Sequence, residues 1–281
     1  MRAFHENRLY FYESGFPFQA MQIRNINFLA HWHHDLEFMY VYEGSVRMGI
    51  NSETRVLHQG EIALCGSGDI HYYDSTGLES TILLIIFNPR LIGSPAGWPQ
   101  ERQLRSSFVT KNGSEASQNE SFLQQAAPII RSLDAEVQEH APQYELIITG
   151  LLHQLSGLAL RYLSTDDPGV RRHHSRTLAH LKVMQELLEH LEQHCTEPCT
   201  LQDGADYAGM SVFHFSRFFK TVTGVGYNTY INELRIRHAE QLILESDRKL
   251  IDIALESGFG NVRTFNRVFR QLRGRTPSDL R

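Results

Sequence analysis

Hydrophobic positions in the first third of the chain fall in short runs. Residues 36–42 are rich in aromatic and aliphatic side chains, and residues 45–51 alternate apolar with polar. The Glu43-Gly44 pair between them predicts a hairpin turn. Residues 53–57, 61–64 and 80–87 continue the pattern, punctuated by Gly60, Gly66, Gly68 and Gly77. Many short strands at this spacing predict a β-barrel or sandwich. Residues 93–97, with Pro95 and Pro99, close the strand region, and the polar residues 110–119 are expected to form a loop.

From residue 121 the period becomes helical. Tyr144, Ile148, Leu151, Leu155, Leu158 and Tyr162 alternate spacings of four and three, the seam of a packed helix pair. Residues 121–140 supply Phe122, Ile129, Ile130, Leu133 and Val137, with Pro128 starting or kinking a helix. The seam is under three heptads long and suits an intramolecular hairpin about as well as a dimer contact. Residues 164–175 carry Asp166, Asp167, Pro168 and Gly169, then a run of arginine and histidine, and are expected to be a linker. Leu178, Leu181, Met184, Leu187, Leu188 and Leu191 form the apolar face of a further helix, and Thr200 with Asp203 predicts a capping box.

At 281 residues, with 41% hydrophobic and 21% charged content, the chain is long enough for two or three domains. Its composition excludes collagen-like, disulfide-scaffold and disordered classes. Residues 1–13 lack the pattern of an export signal, and the longest apolar run, 81–87, is too short to cross a bilayer, so a cytoplasmic location without membrane contact is expected. The three cysteines, Cys65, Cys195 and Cys199, are an odd number without a second zinc-ligand pair, and are read as reduced structural thiols. The net charge of −5 conceals an asymmetry: residues 1–170 carry −8 and residues 171–281 carry +3. An acidic front and a basic back suit a sensor joined to a nucleic-acid reader.

The last eighty residues contain two related stretches. Ala205, Gly209-Met210, Phe215-Ser216-Arg217, Phe219-Lys220 and Gly224 match Ala254, Gly258-Phe259, Phe265-Asn266-Arg267, Phe269-Arg270 and Gly274. The offset is 49 residues up to the inner glycines and 50 beyond them. Each stretch reads as a short helix, a glycine that ends it in the left-handed conformation, an apolar corner residue and a second helix burying two phenylalanines at i, i+4. The opposite faces carry Phe213, Ser216, Arg217 and Lys220 in the first unit, and Arg263, Asn266, Arg267 and Arg270 in the second. Such a helix-turn-helix suits base edges and phosphates in a major groove. The joining helix, residues 227–246, would span about 30 Å, near the roughly 34 Å of one duplex turn.

On these residues, with Ile251-Asp252-Ile253 and Pro277 added, the stretch from about Thr177 to Arg281 resembles the DNA-binding domain of the AraC/XylS family of bacterial transcription regulators. The resemblance implies base-reading roles for Phe213, Ser216 and Arg217, and for Val262, Arg263, Asn266 and Arg267. Gly204 departs from it, standing where the family usually places a leucine.

In the front half, His31, His33 and Glu37 would share a face on one continuous strand. With Gly44, Gly60, Gly66, Gly68 and His71, residues 25–90 resemble both motifs of the cupin barrel. Gly66 and Ser75 depart from it where a proline and an asparagine are usual. The resemblance implies that His31, His33, Glu37 and His71 form an effector pocket, with or without a divalent ion, for which Zn, Mn, Fe or Ni would suit the donor set. The slipped set with His34 and Asp35 is the less favoured register.

The expected fold class is therefore α+β and multidomain. A cupin-like barrel (1–112) precedes a helical, dimerising segment (113–165), a linker (166–176) and an all-α domain (177–281) with two helix-turn-helix units on a long helix. The expected function is an effector-controlled transcription regulator. Its partners would be double-stranded DNA, a carbohydrate or other small metabolite, a second copy of the chain and RNA polymerase. A metal-dependent cupin enzyme with an appended helical domain is the alternative.

Overall fold

The computed structural model describes residues 15–94, 98, 104–112, 116–163 and 171–281. The expectations for residues 1–13, for Pro95 and Pro99, and for residues 164–170 fall outside these. The chain divides into two compact units, Met1–Ala179 and His180–Arg281.

The first unit holds the strands β1 (Phe18–Arg24), β2 (Phe28–His31), β3 (Leu36–Ile50), β4 (Glu53–His58), β5 (Ile62–Cys65), β6 (His71–Asp74), β7 (Ser80–Phe87) and β8 (Phe108–Val109), and helices α1 (Ala116–Glu139) and α2 (Tyr144–Tyr162). Every strand pairing is antiparallel. One sheet runs β1-β7-β3-β5-β8, and β3 continues into a second with β4 and β6, where β6 also pairs β2.

The expected hairpin at Glu43-Gly44 is absent: β3 runs through it. The register against β7 shifts between Val41 and Glu43, the mark of a bulge, and Gly44 takes a φ of +71°. A Cβ there would run into the backbone of Glu79, so the glycine bends the strand from one sheet into the other without reversing it. The reversal comes after Ile50, where β3 pairs β4 from Ser45↔His58 to Ile50↔Glu53.

Both faces of the first sheet are buried, which is why its strands lack a clean polar alternation. Met39, Val41, Ala63, Cys65, Ile82, Leu84 and Ile86 point into the space between the sheets. Leu36, Phe38, Tyr40, Ile62, Leu64, Leu83, Ile85 and Phe87 instead join one core with Phe122, Ile130 and Leu133 of α1 and Ile148, Leu152 and Leu155 of α2. On α2 Ile148, Leu155 and Leu158 of the expected seam are buried and Tyr144, Leu151 and Tyr162 are half-buried against the same core, and the buried face widens to take in Leu152 and Ala159. Asp134 of α1 also accepts hydrogen bonds from Gln22 Nε2 at 2.6 Å and Tyr42 Oη at 2.9 Å, tying the helix to β1 and β3.

Helix α3 (Arg171–His194) starts earlier than expected, and Arg171–Ser175, read as linker, is helical because no proline or glycine interrupts it. The second unit continues with α4 (Leu201–Tyr207), α5 (Val212–Thr223), α6 (Tyr227–Glu245), α7 (Leu250–Glu256) and α8 (Val262–Arg273). The capping box forms, Asp203 N–H donating to Thr200 Oγ1 at 3.1 Å and Thr200 N–H to Asp203 Oδ2 at 2.8 Å. Gly209 and Gly258 end α4 and its counterpart α7 with φ of +61° and +81°.

Helix α6 packs against both pairs. Phe219 of α5 meets Tyr227 and Tyr230 of α6, with ring centroids 5.2 and 5.5 Å apart. Ile236, Ala239 and Ile243 of α6 share a second core with Ile253, Ala254, Phe259, Phe265, Val268 and Phe269. Gly204 explains its departure from the family pattern here. A Cβ on it would lie 2.8 Å from both Phe215 Cζ and Tyr227 Cε2, so these rings fill the volume of a side chain. Gly204→Leu, although it raises helix propensity, is expected to overpack this core and lower the unfolding free energy by about 1–3 kcal/mol in urea titration. An unchanged or higher stability would show that the rings give way.

Candidate functional site

His31, His33 and Glu37 do not ride one continuous strand as expected. β2 ends at His31, β3 begins at Leu36, and residues 32–35 are irregular. The sheet brings the groups together nonetheless. β6 lies between β2 and β3, so His71 pairs with His31 on one side and Ile50 on the other. Glu37 alternates onto the same inward face of β3 as Met39 and Val41. All four side chains are buried: His31 is 5% exposed, His33 4%, Glu37 1% and His71 0%. His34 is exposed, whereas Asp35 is buried and accepts a hydrogen bond from Asn88 Nδ2.

Each imidazole makes the same backbone contact. Nδ1 of His31 meets Leu29 O at 3.0 Å, Nδ1 of His33 meets Asp35 O at 2.9 Å, and Nδ1 of His71 meets Asp69 O at 2.9 Å. A carbonyl only accepts, so every Nδ1 carries a proton and each Nε2 is left for the cluster, the arrangement that orients histidines toward a metal. His33 Nε2 lies 3.4 Å from Glu37 Oε2, and His71 Nε2 lies 3.6 Å from Glu37 Oε1. These separations are long for hydrogen bonds and close to the roughly 3.3–3.6 Å between ligands of one tetrahedral zinc ion. Donor atoms of His31, His33 and His71 all lie within 4.8 Å of one another, as do those of Glu37, Cys65 and His71. Tyr73 Oη donates to Glu37 Oε1. The donor set fits a divalent cation.

The electrostatics agree. Burial raises the Glu37 carboxyl, but the charge that His71, and then His33, present when protonated outweighs it and holds the group well below the usual carboxylate range. Asp69 is raised by burial, although Asn51 and the Gly66 N–H bond it. Burial, then Glu37 and Asp69, push the Cys65 thiol well up. Cys65 and Tyr73 were not legible as site residues, because strand register alone puts them beside Glu37.

The second candidate site lies on α5 and α8. Ser211 caps α5, its Oγ accepting from His214 N–H at 3.4 Å, and Asn261 caps α8, its Oδ1 accepting from Thr264 N–H at 2.8 Å. α5 buries Phe215, Phe219 and Val222, and α8 buries Phe265, Val268 and Phe269. Phe213, Arg217 and Lys220 are exposed, Ser216 is half-buried, and the Arg217 guanidinium lies 5.7 Å from the Phe213 ring centre. On α8, Arg263, Asn266, Arg267 and Arg270 are exposed and Val262 is half-buried. Among the described residues, none of Arg217, Arg263, Arg267 and Arg270 pairs with a carboxylate.

Other arginines are committed to structure. Arg273 Nε and Nη2 meet Glu240 at 2.7 and 2.9 Å, and Nη2 meets Glu233 at 2.7 Å, clamping α8 to α6. Arg235 donates to the carbonyls of Cys195 and Glu197 at 2.6 and 2.9 Å, answering acceptors just beyond the end of α3. The sequence gives no sign of this division of labour.

Residues 205–281 match a helix-turn-helix domain family, and residues 19–87 match a cupin domain family. Regulatory protein SoxS of Escherichia coli K12 is 34% identical over 104 residues, which cover 37% of this chain and 97% of SoxS. Among solved structures, ToxT of Vibrio cholerae O395 aligns over 94% of this chain and 96% of its own, at 13% identity and a TM-score of 0.42. The DNA-binding domain of AdpA, solved with a target DNA, aligns over 34% of this chain and 85% of its own, at 26% identity and a TM-score of 0.33. Among the described residues, no helix is long and apolar enough to cross a membrane.

His71→Ala in chelator-treated protein is expected to remove the first-ranked neighbour that holds the Glu37 carboxyl down, and so to destabilise the fold while Glu37 is ionised. A depressed native carboxyl contributes stability above the unfolded value of about 4.3 and loses it as pH falls through the native value, so the deficit should shrink in acid. Urea unfolding at several pH values checks this, and a pH-independent deficit would contradict it.

Proposed function

Since the chain belongs to the AraC/XylS family of transcriptional regulators, we propose that α5 and α8 read operator DNA and that the barrel interior is the sensor governing them. It is a regulator and not an enzyme: a relative that matches it in sequence, SoxS, is a regulatory protein, which favours this reading over a metal-dependent cupin enzyme.

The observation that carries the reading is the doubled reader. Two helices of twelve residues, each capped at its start, bury phenylalanines at i, i+4 and leave basic and amide groups exposed. Between them α6 runs for 19 residues, about 28 Å, which suits successive major grooves. Arg217, Arg263, Asn266 and Arg267 take base edges, with Phe213, Ser216 and Val262 beside them, while Lys220 and Arg270 take phosphates.

In the sensor, His31, His33, Glu37 and His71 would hold a divalent ion of the Zn, Mn, Fe or Ni class. Bound there, it would supply positive charge beside Glu37 and a Lewis-acidic point for an oxygen donor of a small metabolite, carbohydrate included. The three histidines are oriented for this by their backbone bonds, and the surrounding apolar core excludes water. Exposed Leu146 (69%), Ile147 (47%) and Leu160 (41%) on α2 support a homodimer, and contact with RNA polymerase in the cytoplasm belongs to the same reading. Effector acts by binding the arrangements of sensor and reader unequally.

Gel-shift competition between DNA upstream of regulated genes and random duplex tests the reader. Arg267→Ala should lower the preference for operator by about 1–3 kcal/mol. Arg270→Ala should weaken binding to both DNAs and reduce the salt slope by about 1. Equal losses on both DNAs for Arg267→Ala would remove its base-reading role.

A further inference from the structure

Cys65 lies outside the histidine and glutamate set that the cupin resemblance supplies, yet the fold delivers it to the same place. On β5 it is the register partner of Glu37 on β3, so the two side chains stand beside each other on the inward face. Cys65 is 3% exposed and belongs to the interior core with Met39, Ala63 and Tyr73. Its Sγ lies within 4.8 Å of donor atoms of both Glu37 and His71.

His71 is the pivot. It belongs to both donor groups, one with His31 and His33 and the other with Glu37 and Cys65. Its Nδ1 is held by Asp69 O, while its Nε2 is fully buried and makes no hydrogen bond. A lone pair sealed in this way, with imidazole, carboxylate and thiol donors around it, is aimed at a cation.

On this geometry, and resting on the reading of the barrel as a cation-binding sensor, we propose that Cys65 is a metal ligand and that the site selects a thiophilic divalent ion. Charge balance supports it. Three neutral imidazoles and Glu37 alone leave a divalent ion with one uncompensated positive charge in an apolar interior, which is costly. Coordination by Cys65 breaks its S–H bond, sends the proton to solvent and forms a sulfur–metal bond. Thiolate and carboxylate together then neutralise the ion. A sulfur donor favours Zn, Co or Ni over Mg, Ca and Mn, so the Mn option of the histidine–carboxylate set falls away.

Cobalt(II) titration of the chelator-stripped full chain, followed by absorption, tests this. The expected result is a near-ultraviolet sulfur-to-cobalt charge-transfer band together with visible ligand-field bands. The charge-transfer band should be lost in Cys65→Ser, with the visible bands retained, and kept when Cys195 and Cys199 are both replaced by serine. Circular dichroism establishes that each variant is folded. Where Cys65→Ser does not fold, protection of Cys65 from alkylation by bound zinc in the Cys195→Ser, Cys199→Ser background replaces it, and equal alkylation with and without zinc overturns the proposal. Cobalt bound without a sulfur band, or a band that depends on Cys195 and Cys199, overturns the role of Cys65 and leaves a histidine–carboxylate site standing. Failure of every form to bind cobalt or zinc overturns both that site and the proposal.

Discussion

A carboxylate sealed inside an apolar barrel has to be answered by positive charge, and much of the first unit is arranged around that demand. Glu37 is 1% exposed on the inward face of the longest strand. Left alone there it would be neutralised by protonation, since burial raises its carboxyl. The structure instead sets the His33 and His71 imidazoles and the Tyr73 hydroxyl beside it.

The strand carrying Glu37 also carries the mechanical consequence. β3 passes from one sheet to the other through the bulge before Gly44, so the residues that line the site and those that pack under α1 and α2 lie on one continuous piece of backbone. Tyr42, on the outward side, donates its hydroxyl to Asp134 of α1.

In the second unit the governing choice is which arginines are spent on structure. Arg235 and Arg273 are held by carbonyls and carboxylates of neighbouring segments, and they fix α6 against the end of α3 and against α8. Arg217, Arg263, Arg267 and Arg270 remain exposed on α5 and α8. Composition alone leaves this unit electrically neutral, with 13 basic and 13 acidic side chains. The partition concentrates its available positive charge on two helices.

Periodicity and repetition determined a good deal by themselves. The duplicated Ala, Gly, Phe and Arg positions specified two helix-turn-helix units, because i, i+4 phenylalanines and a left-handed glycine are local requirements that any context must honour. β7 and α6 were legible for the same reason. Tertiary structure decided what depends on partners distant in sequence. Glu43-Gly44 became a bulge because Glu79 and Ser80 lie against it. Gly204 is accommodated because Phe215 and Tyr227 fill its space. His31, His33 and Glu37 converge through the pairing of β6 with β2 and β3, since a single strand does not carry them, and Cys65 joins them through register. Local chemistry is written in spacing, whereas which side chains meet inside a barrel is set by how its strands align.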